Sequence, residues 1–261
     1  MTSSSTFRPI HTTAPSITKD YVMHHPTQTL NRRHALQTGL ALGSAALTTK
    51  GAFAEILETP SQTEGPFYPN QLPLDTDNDL LVINDSITPA VGNITHLSGI
   101  VRDTAGSPVR NAFIEIWQVD NNAVYLHTGD QTNRENQDKN FQGYGRFLTD
   151  AQGRYYFRTI KPVPYPGRTP HIHVGVSKAG QRILTTQLYI KDHPNNAGDG
   201  LLNRLNAEAK KMLLGDFQPL PNSSIGELAV TFDITLGTTP DDNDRKNLKG
   251  VAKPLWKPRA N

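Results

Sequence analysis

From residue 94 onward the chain alternates with period two in short runs, each closed by Gly, Pro, Ser or Asp turn chemistry. That rhythm is hard to satisfy with anything but strands. ITHLSGIVRD (94–103) passes through the turn TAGSP into VRNAFIEIWQVD (109–120), a first hairpin candidate. In the latter, Phe113, Glu115, Trp117 and Val119 alternate with Ala112, Ile114, Ile116 and Gln118. GRFLTD, the turn AQG and RYYFRTI form a second candidate (145–160); HIHVGVS, KAGQ and RILTTQLYI form a third (171–190). In ELAVTFDITLG, Leu228, Val230, Phe232, Ile234 and Leu236 occupy one face. One helix is convincing: GLLNRLNAEAKKMLLG (200–215) sets Leu201, Leu205, Ala209 and Met212 at helical spacing, with Gly215 as its stop. Many short strands and one helix predict an all-β fold, an antiparallel β-sandwich with one short helix and long loops.

Residues 1–54 are expected to lie outside that fold. They carry Arg8, Lys19, Arg32, Arg33 and Lys50 against the single Asp20. Within them, NRRHALQTGLALGSAALTTKGAFA pairs Arg32-Arg33 with a mildly apolar run from Ala35 to Leu47 and a small-x-small ending at Ala52-Phe53-Ala54. This reads as a twin-arginine-type export signal, cleaved before Glu55, on a periplasmic or secreted protein. The apolar run falls short of the roughly 20 residues that span a bilayer, so no stable membrane anchor is expected. Met1 and Met23 both remain open as the start. Residues 55–261 then form the folded domain, with DDNDRKNLKGVAKPLWKPRAN as a charged C-terminal tail.

With the leader set aside, the formal charge of +2 becomes a slight acidic excess, so a nucleic-acid partner has no electrostatic support. The absence of cysteine removes disulfide scaffolds, iron–sulfur clusters, cysteine–zinc sites and thiol nucleophiles together. No dinucleotide or P-loop glycine pattern is present.

The chemistry concentrates in IKPVPYPGRTPHIHVGVSKAG (160–180). His171 and His173, one residue apart in a strand, project from one face, while Ile172, Val174 and Val176 take the other. Two adjacent imidazoles suit a metal, yet the glutamate that usually follows a His-x-His ligand pair is missing. Tyr165, in a Pro-flanked loop, and Tyr125, just past a strand end, are the available partners. A phenol of pKa about 10 needs about 4 kcal/mol to be held ionised at neutral pH. A trivalent ion supplies that readily, whereas zinc or copper favours histidine and carboxylate. Another metal in the same site, as in a zinc-binding sugar or adhesion protein, stays open. His127 is expected beside the site; His96 and His193 are expected outside it, and Tyr144, Tyr155, Tyr156 and Trp117 in sandwich packing.

Five stretches in order carry a resemblance. TPSQTEGPFYP (59–69), GIVRDTAGSPVRNAFIEIWQVDNNAVYLH (99–127), NFQGYGRFLTDAQGRYYFRTIKPVPYP (140–166), RTPHIH (168–173) and TTQLYI (185–190) resemble the intradiol ring-cleavage dioxygenases, the family of protocatechuate and catechol dioxygenases. The resemblance implies a non-haem Fe(3+) held by Tyr125, Tyr165, His171 and His173. It places Arg168 and Gln187 beside the substrate, with Thr63, Gly65 and Pro66 as weaker lining candidates. It implies a catechol and O2 as substrates, cleavage between the two hydroxyl-bearing carbons and a muconate-type diacid product. Tyr165 would take a catechol proton, and Arg168 would steady the ring anion. Only Pro166 and Gly167 separate Tyr165 from Arg168, a shorter loop than in larger members, so ring-substituent preference is not inherited. The helical N-terminal domain of catechol-type members is expected to be absent, which would remove their usual dimer interface, while a homo-oligomer stays open. The rival reading is a non-catalytic transthyretin-like binding module, which shares the G-x-V-x-D and T-D-A-x-G-R-Y features but has no use for the four donors.

Overall fold

The computed structural model describes residues 57–237, apart from 74, 85 and 86, together with 239. The expected export leader and charged tail lie outside the described residues. Among the described residues ten strands form two five-stranded sheets. The first holds β1 (Ile94–Asp103), β4 (Arg154–Ile160), β8 (Gln218–Pro219), β9 (Leu228–Thr231) and β10 (Ile234–Leu236). The second, in the order β3-β2-β5-β6-β7, holds β2 (Phe113–Trp117), β3 (Tyr144–Leu148), β5 (His171–Lys178), β6 (Gln181–Ile190) and β7 (Leu214–Gly215). Leu97, Val101 and Phe157 of the first sheet meet Ile114, Ile116, Ile172, Val174 and Leu188 of the second in one apolar layer. Each such buried side chain stabilises the sandwich by about 1.5–3 kcal/mol.

The expected sandwich is present and its long pairings are antiparallel. Short parallel pairings of β1 with β9 and β10, and of β6 with β7, make both sheets mixed. Only the third hairpin candidate forms as read, with β5 and β6 paired from His171–Tyr189 to Lys178–Gln181. The first two are turns at which the chain changes sheets. After β1, Val109 N–H still donates to Val101 O, but the chain then leaves for β2 in the other sheet. Likewise β3 pairs with β2 while β4 pairs with β1. Thr149 is claimed by Ala112, whose N–H donates to Thr149 Oγ1, and Gly153 O is claimed by Val101 N–H. Period-two alternation reports a strand, not its partner.

The helix is shorter than its spacing suggests. Asn206 Oδ1 accepts the Ala209 N–H and starts α1 (Ala207–Leu213), while Leu202–Arg204 form a separate 3-10 turn. Among the described residues no helix is long and apolar enough to cross a membrane.

Between β9 and β10 the chain turns at Phe232-Asp233, where Tyr155 donates its hydroxyl hydrogen to Phe232 O. Gly99 of β1 makes this approach feasible, because a Cβ there would collide with that same backbone carbonyl. Gly99→Ala is therefore expected to cost about 1–3 kcal/mol, read as a lower urea midpoint at unchanged slope.

The outer face of the second sheet is also buried, and this creates the site. Every residue of β5 is buried, the two histidines included. The cover is the segment before β1, bonded along β6: Gln62 N–H to Thr185 O, Thr186 Oγ1 to Pro60 O, and Gln187 Nε2 to Thr63 O. Tyr68 anchors a second apolar cluster there with Trp117, Val119, Tyr125 and Tyr144.

Candidate metal centre and substrate pocket

The strand phase puts His171 and His173 side by side, with their Nε2 atoms 3.2 Å apart. The His171 ring is oriented by Nδ1, which donates to Thr169 O at 2.7 Å. A carbonyl only accepts, so the hydrogen sits on Nδ1 and the Nε2 lone pair is left for a cation. His173 is clamped differently. Trp117 stacks on its ring, nearly parallel with centroids 4.9 Å apart, and its Nδ1 is buried without a hydrogen-bond partner.

Tyr125 arrives from the loop after β2, which its own carboxylates pin. Asp120 Oδ1 accepts the N–H groups of Asn122 and Val124, and Asp130 Oδ2 accepts that of Tyr125. The phenol oxygen ends 3.0 Å from His173 Nε2 and 3.5 Å from His171 Nε2. Phe67 of the covering segment stacks on the ring at 5.1 Å. Tyr165 opens a four-residue turn with Pro166 and Gly167 at its centre. Gly167 has φ +79°, and Arg168 N–H donates to Tyr165 O at 3.0 Å. Proline followed by a positive-φ glycine is the chemistry of a type II turn. The short loop thus sets Tyr165 and Arg168 at neighbouring corners, with the Tyr165 oxygen 3.5 Å from His171 Nε2.

All four expected donors therefore converge. Among the described residues no cluster of three or more His, Cys, Asp or Glu side chains is arranged to hold a metal, so a donor set here requires the tyrosines. Burial, then the charge of Arg168, lowers the pKa of His171 to about 3; burial, then His171, holds His173 well below its usual value. Burial, then Tyr165, pushes the Tyr125 phenol well above 10. Left alone, the cluster is two neutral imidazoles and a neutral buried phenol. Two ring nitrogens 3.2 Å apart in a dry interior favour a cation between them, and that cation would reverse the bias on Tyr125. The residues fit a metal with a taste for hard oxygen donors.

Around them, Arg168 Nε pairs with Asp199 Oδ2 at 2.8 Å, and Nη2 donates to Gln187 Oε1 at 2.6 Å and to Tyr189 Oη at 3.3 Å. Nη1 reaches the Tyr165 hydroxyl at 3.4 Å. Gln187, fully buried, accepts through Oε1 from Arg168 and Tyr189 and donates through Nε2 to Thr63 O. It fixes the arginine more than it faces the pocket. A cavity of about 320 Å3 opens over His173, lined by Thr63, Gly65, Pro66, Tyr165 and Arg168 as expected. Phe67 and Leu201 complete the walls. A larger groove of about 530 Å3, around Ser98, Ile100 and Tyr156, holds none of the donors and has no comparable chemistry.

His96 and His193 lie outside the site, the one paired with Tyr156 and Glu227, the other capping a turn at Asn195. His127 sits edge-on to Phe67, beside the site rather than in it. Sequence reasoning missed Asp199, Phe67, Leu201 and the stack of Trp117 on His173. It also missed Glu115 and Arg182, buried behind Trp117. For Asp199 a signal existed: an acid two residues before the Leu201-Leu202 pair is placed to cap a turn, and its Oδ1 accepts both N–H groups.

A family model described as Dioxygenase matches residues 63–238, a span that contains every donor and lining residue above. The chain belongs to the intradiol ring-cleavage dioxygenase family. The protocatechuate 3,4-dioxygenase beta chain of Burkholderia cepacia is 38% identical over 54% of this chain and 63% of its own length. The hydroxyquinol 1,2-dioxygenase of Rhodococcus opacus is 30% identical over 62% of this chain and 55% of its own. The chain thus spans between half and two thirds of the length of these curated relatives. Among solved structures, the dioxygenase domain of a dioxygenase–carbohydrate-binding protein fusion from Streptomyces sp. SirexAA-E aligns with a TM-score of 0.54. It is 31% identical and covers 70% of this chain and 100% of that one. In this chain the covering segment matters as much as the sandwich, since it makes the face that bears His171 and His173 an interior.

Proposed function

We propose that this intradiol family member is an iron(III)-dependent dioxygenase that opens the ring of a catechol between its two hydroxyl-bearing carbons. Both atoms of O2 enter the product, a muconate-type diacid. One observation carries the reading: two phenol oxygens and two imidazole nitrogens, from three separate segments, meet at distances of 3.0–3.5 Å. A transthyretin-like binding module has no use for that convergence. Relatives named for catechol, hydroxyquinol and protocatechuate support the substrate class.

Tyr125, Tyr165, His171 and His173 would hold the metal, which when bound supplies a strongly acidic centre that lowers the pKa of a bound catechol and prepares its ring for O2. Tyr165, half-buried at the pocket edge, presents the oxygen best placed to take a catechol proton once its own has been displaced. Arg168 holds its guanidinium beside that oxygen, where positive charge steadies negative charge developing on the ring. Asp199 and Gln187 keep the guanidinium there, and the wall of Gly65, Pro66 and Phe67 excludes water from the face of His173. The twin-arginine-type leader suits this chemistry, because folded export allows metal loading before transport and no external reductant is required.

The test is spectroscopic and chemical. Protein loaded with iron(III) is expected to be red-brown, from phenolate-to-iron charge transfer, and catechol should shift that band. One O2 should be consumed per diacid formed. A colourless iron-replete preparation, or no O2 uptake with catechol, hydroxyquinol or protocatechuate, would overturn the reading.

A further inference from the structure

We propose that the pocket is built for an uncharged catechol and that Leu201 is the residue that enforces this choice; the inference rests on the dioxygenase reading above. Arg168 is the one ionised side chain among the lining residues, and its charge is already answered. Asp199 Oδ2 pairs with its Nε at 2.8 Å, and that carboxylate is fully buried, so the arginine's charge is largely offset beyond its own contact with a ring oxygen. Four of the five guanidinium N–H groups have partners in Asp199, Gln187, Tyr189 and Tyr165. What remains is one hydrogen, sufficient for a ring oxygen and insufficient for a second, carboxylate group.

Besides the donors Tyr165 and His173, the rest of the wall is uncharged: the Thr63 hydroxyl, which accepts from Gly65 N–H at 3.1 Å, and Gly65, Pro66, Phe67 and Leu201. The Tyr165–Arg168 turn, with two residues at its centre, carries no side chain that could bring in another cation. Leu201 is held in place by the same aspartate. Asp199 Oδ1 accepts the N–H groups of Leu201 and Leu202, each at 3.0 Å, and Leu202 is anchored in the core. One carboxylate thereby cancels the arginine through one oxygen and sets the apolar wall through the other. A ring carboxylate in this pocket would surrender its hydration without gaining a cation of its own, whereas an alkyl group would find Leu201 and Phe67.

The experiment is an anaerobic titration of the iron(III)-loaded protein, following the visible band, with 4-methylcatechol and with 3,4-dihydroxybenzoate. The wild type is expected to bind 4-methylcatechol at least ~10-fold more tightly. Leu201→Arg is expected to close or invert that gap by gaining the benzoate, whereas Leu201→Gln, polar but uncharged, should not. Leu201 is only partly buried, so these changes spare the core. Equal binding of the two ligands by the wild type overturns the inference and leaves the dioxygenase reading standing. A wild-type gap that Leu201→Arg does not narrow overturns the role given to Leu201. Binding of neither ligand overturns the dioxygenase reading and this inference with it. Should the arginine variant fail to fold, the wild-type comparison alone still decides whether a charged ring is refused.

Discussion

His173→Ala is expected to weaken iron binding by at least ~100-fold, since removing a partner of a ligand already costs 10–100-fold and removing a ligand costs more. The loss should be visible as iron that a chelator strips from the variant but not from the parent. His173 is the donor with most invested in its position. It stacks on Trp117, lies 3.0 Å from the Tyr125 oxygen and 3.2 Å from His171 Nε2, and Gly65 packs against its Cε1. Alanine leaves a gap between Trp117 and Gly65 that no neighbouring donor can fill. His173→Gln separates the two consequences: it restores much of the volume but not an imidazole lone pair. Its iron affinity should stay low while its thermal midpoint recovers. Recovery of iron binding in the glutamine variant would show that His173 acts as packing rather than as a ligand.

Much of this centre could be read from residue types because its key spacings are short. His171 and His173 follow from strand period, and Tyr165 from its place in a Pro-flanked loop six residues before them, whereas Arg168 is named only by the family resemblance. The other residues depend on long-range closure. Asp199 lies 31 positions from Arg168, and nothing local distinguishes a carboxylate that will bury itself against an arginine from a solvated one. Phe67 and Leu201 become walls only once the segment before β1 folds over the second sheet. The same closure explains Glu115. In an alternating strand it reads as the solvent face, yet that face is covered and the residue is fully buried. The two failed hairpins have a related cause, since turn chemistry specifies a reversal and leaves the sheet to which each arm pairs to be settled by the core.

Glu115→Ala is expected to destabilise the fold by about 3–5 kcal/mol, the cost of removing the nearer partner of a buried arginine and the acceptor of two buried hydroxyls. Glu115 Oε1 accepts the hydroxyl hydrogens of Tyr68 at 2.7 Å and Tyr144 at 2.6 Å, and Oε2 accepts from Arg182 Nη2 at 2.7 Å. The Arg182 side chain is only 4% exposed and its guanidinium lies over both Tyr68 and Trp117. Glu64 is its second acid, at a longer 3.5 Å. Burial, then the negative charge of Glu115, raises the pKa of both Tyr68 and Tyr144, so the two phenols stay protonated and continue to donate. Removing the glutamate therefore leaves Arg182 with only the longer contact to Glu64 as an ion pair and strands two hydroxyls at once. The paired change Glu115→Met with Arg182→Met should recover part of the loss, because a buried ion pair exchanged for apolar volume is often close to neutral while the Tyr68 and Tyr144 hydroxyls still lack their acceptor. Chemical denaturation of the single and paired variants measures both values. The consequence for the centre runs through Trp117, which lies against both the Arg182 guanidinium and the His173 ring. If the network orients that indole, the paired variant should regain stability yet show a shifted charge-transfer band. An unshifted band would confine the network's role to folding.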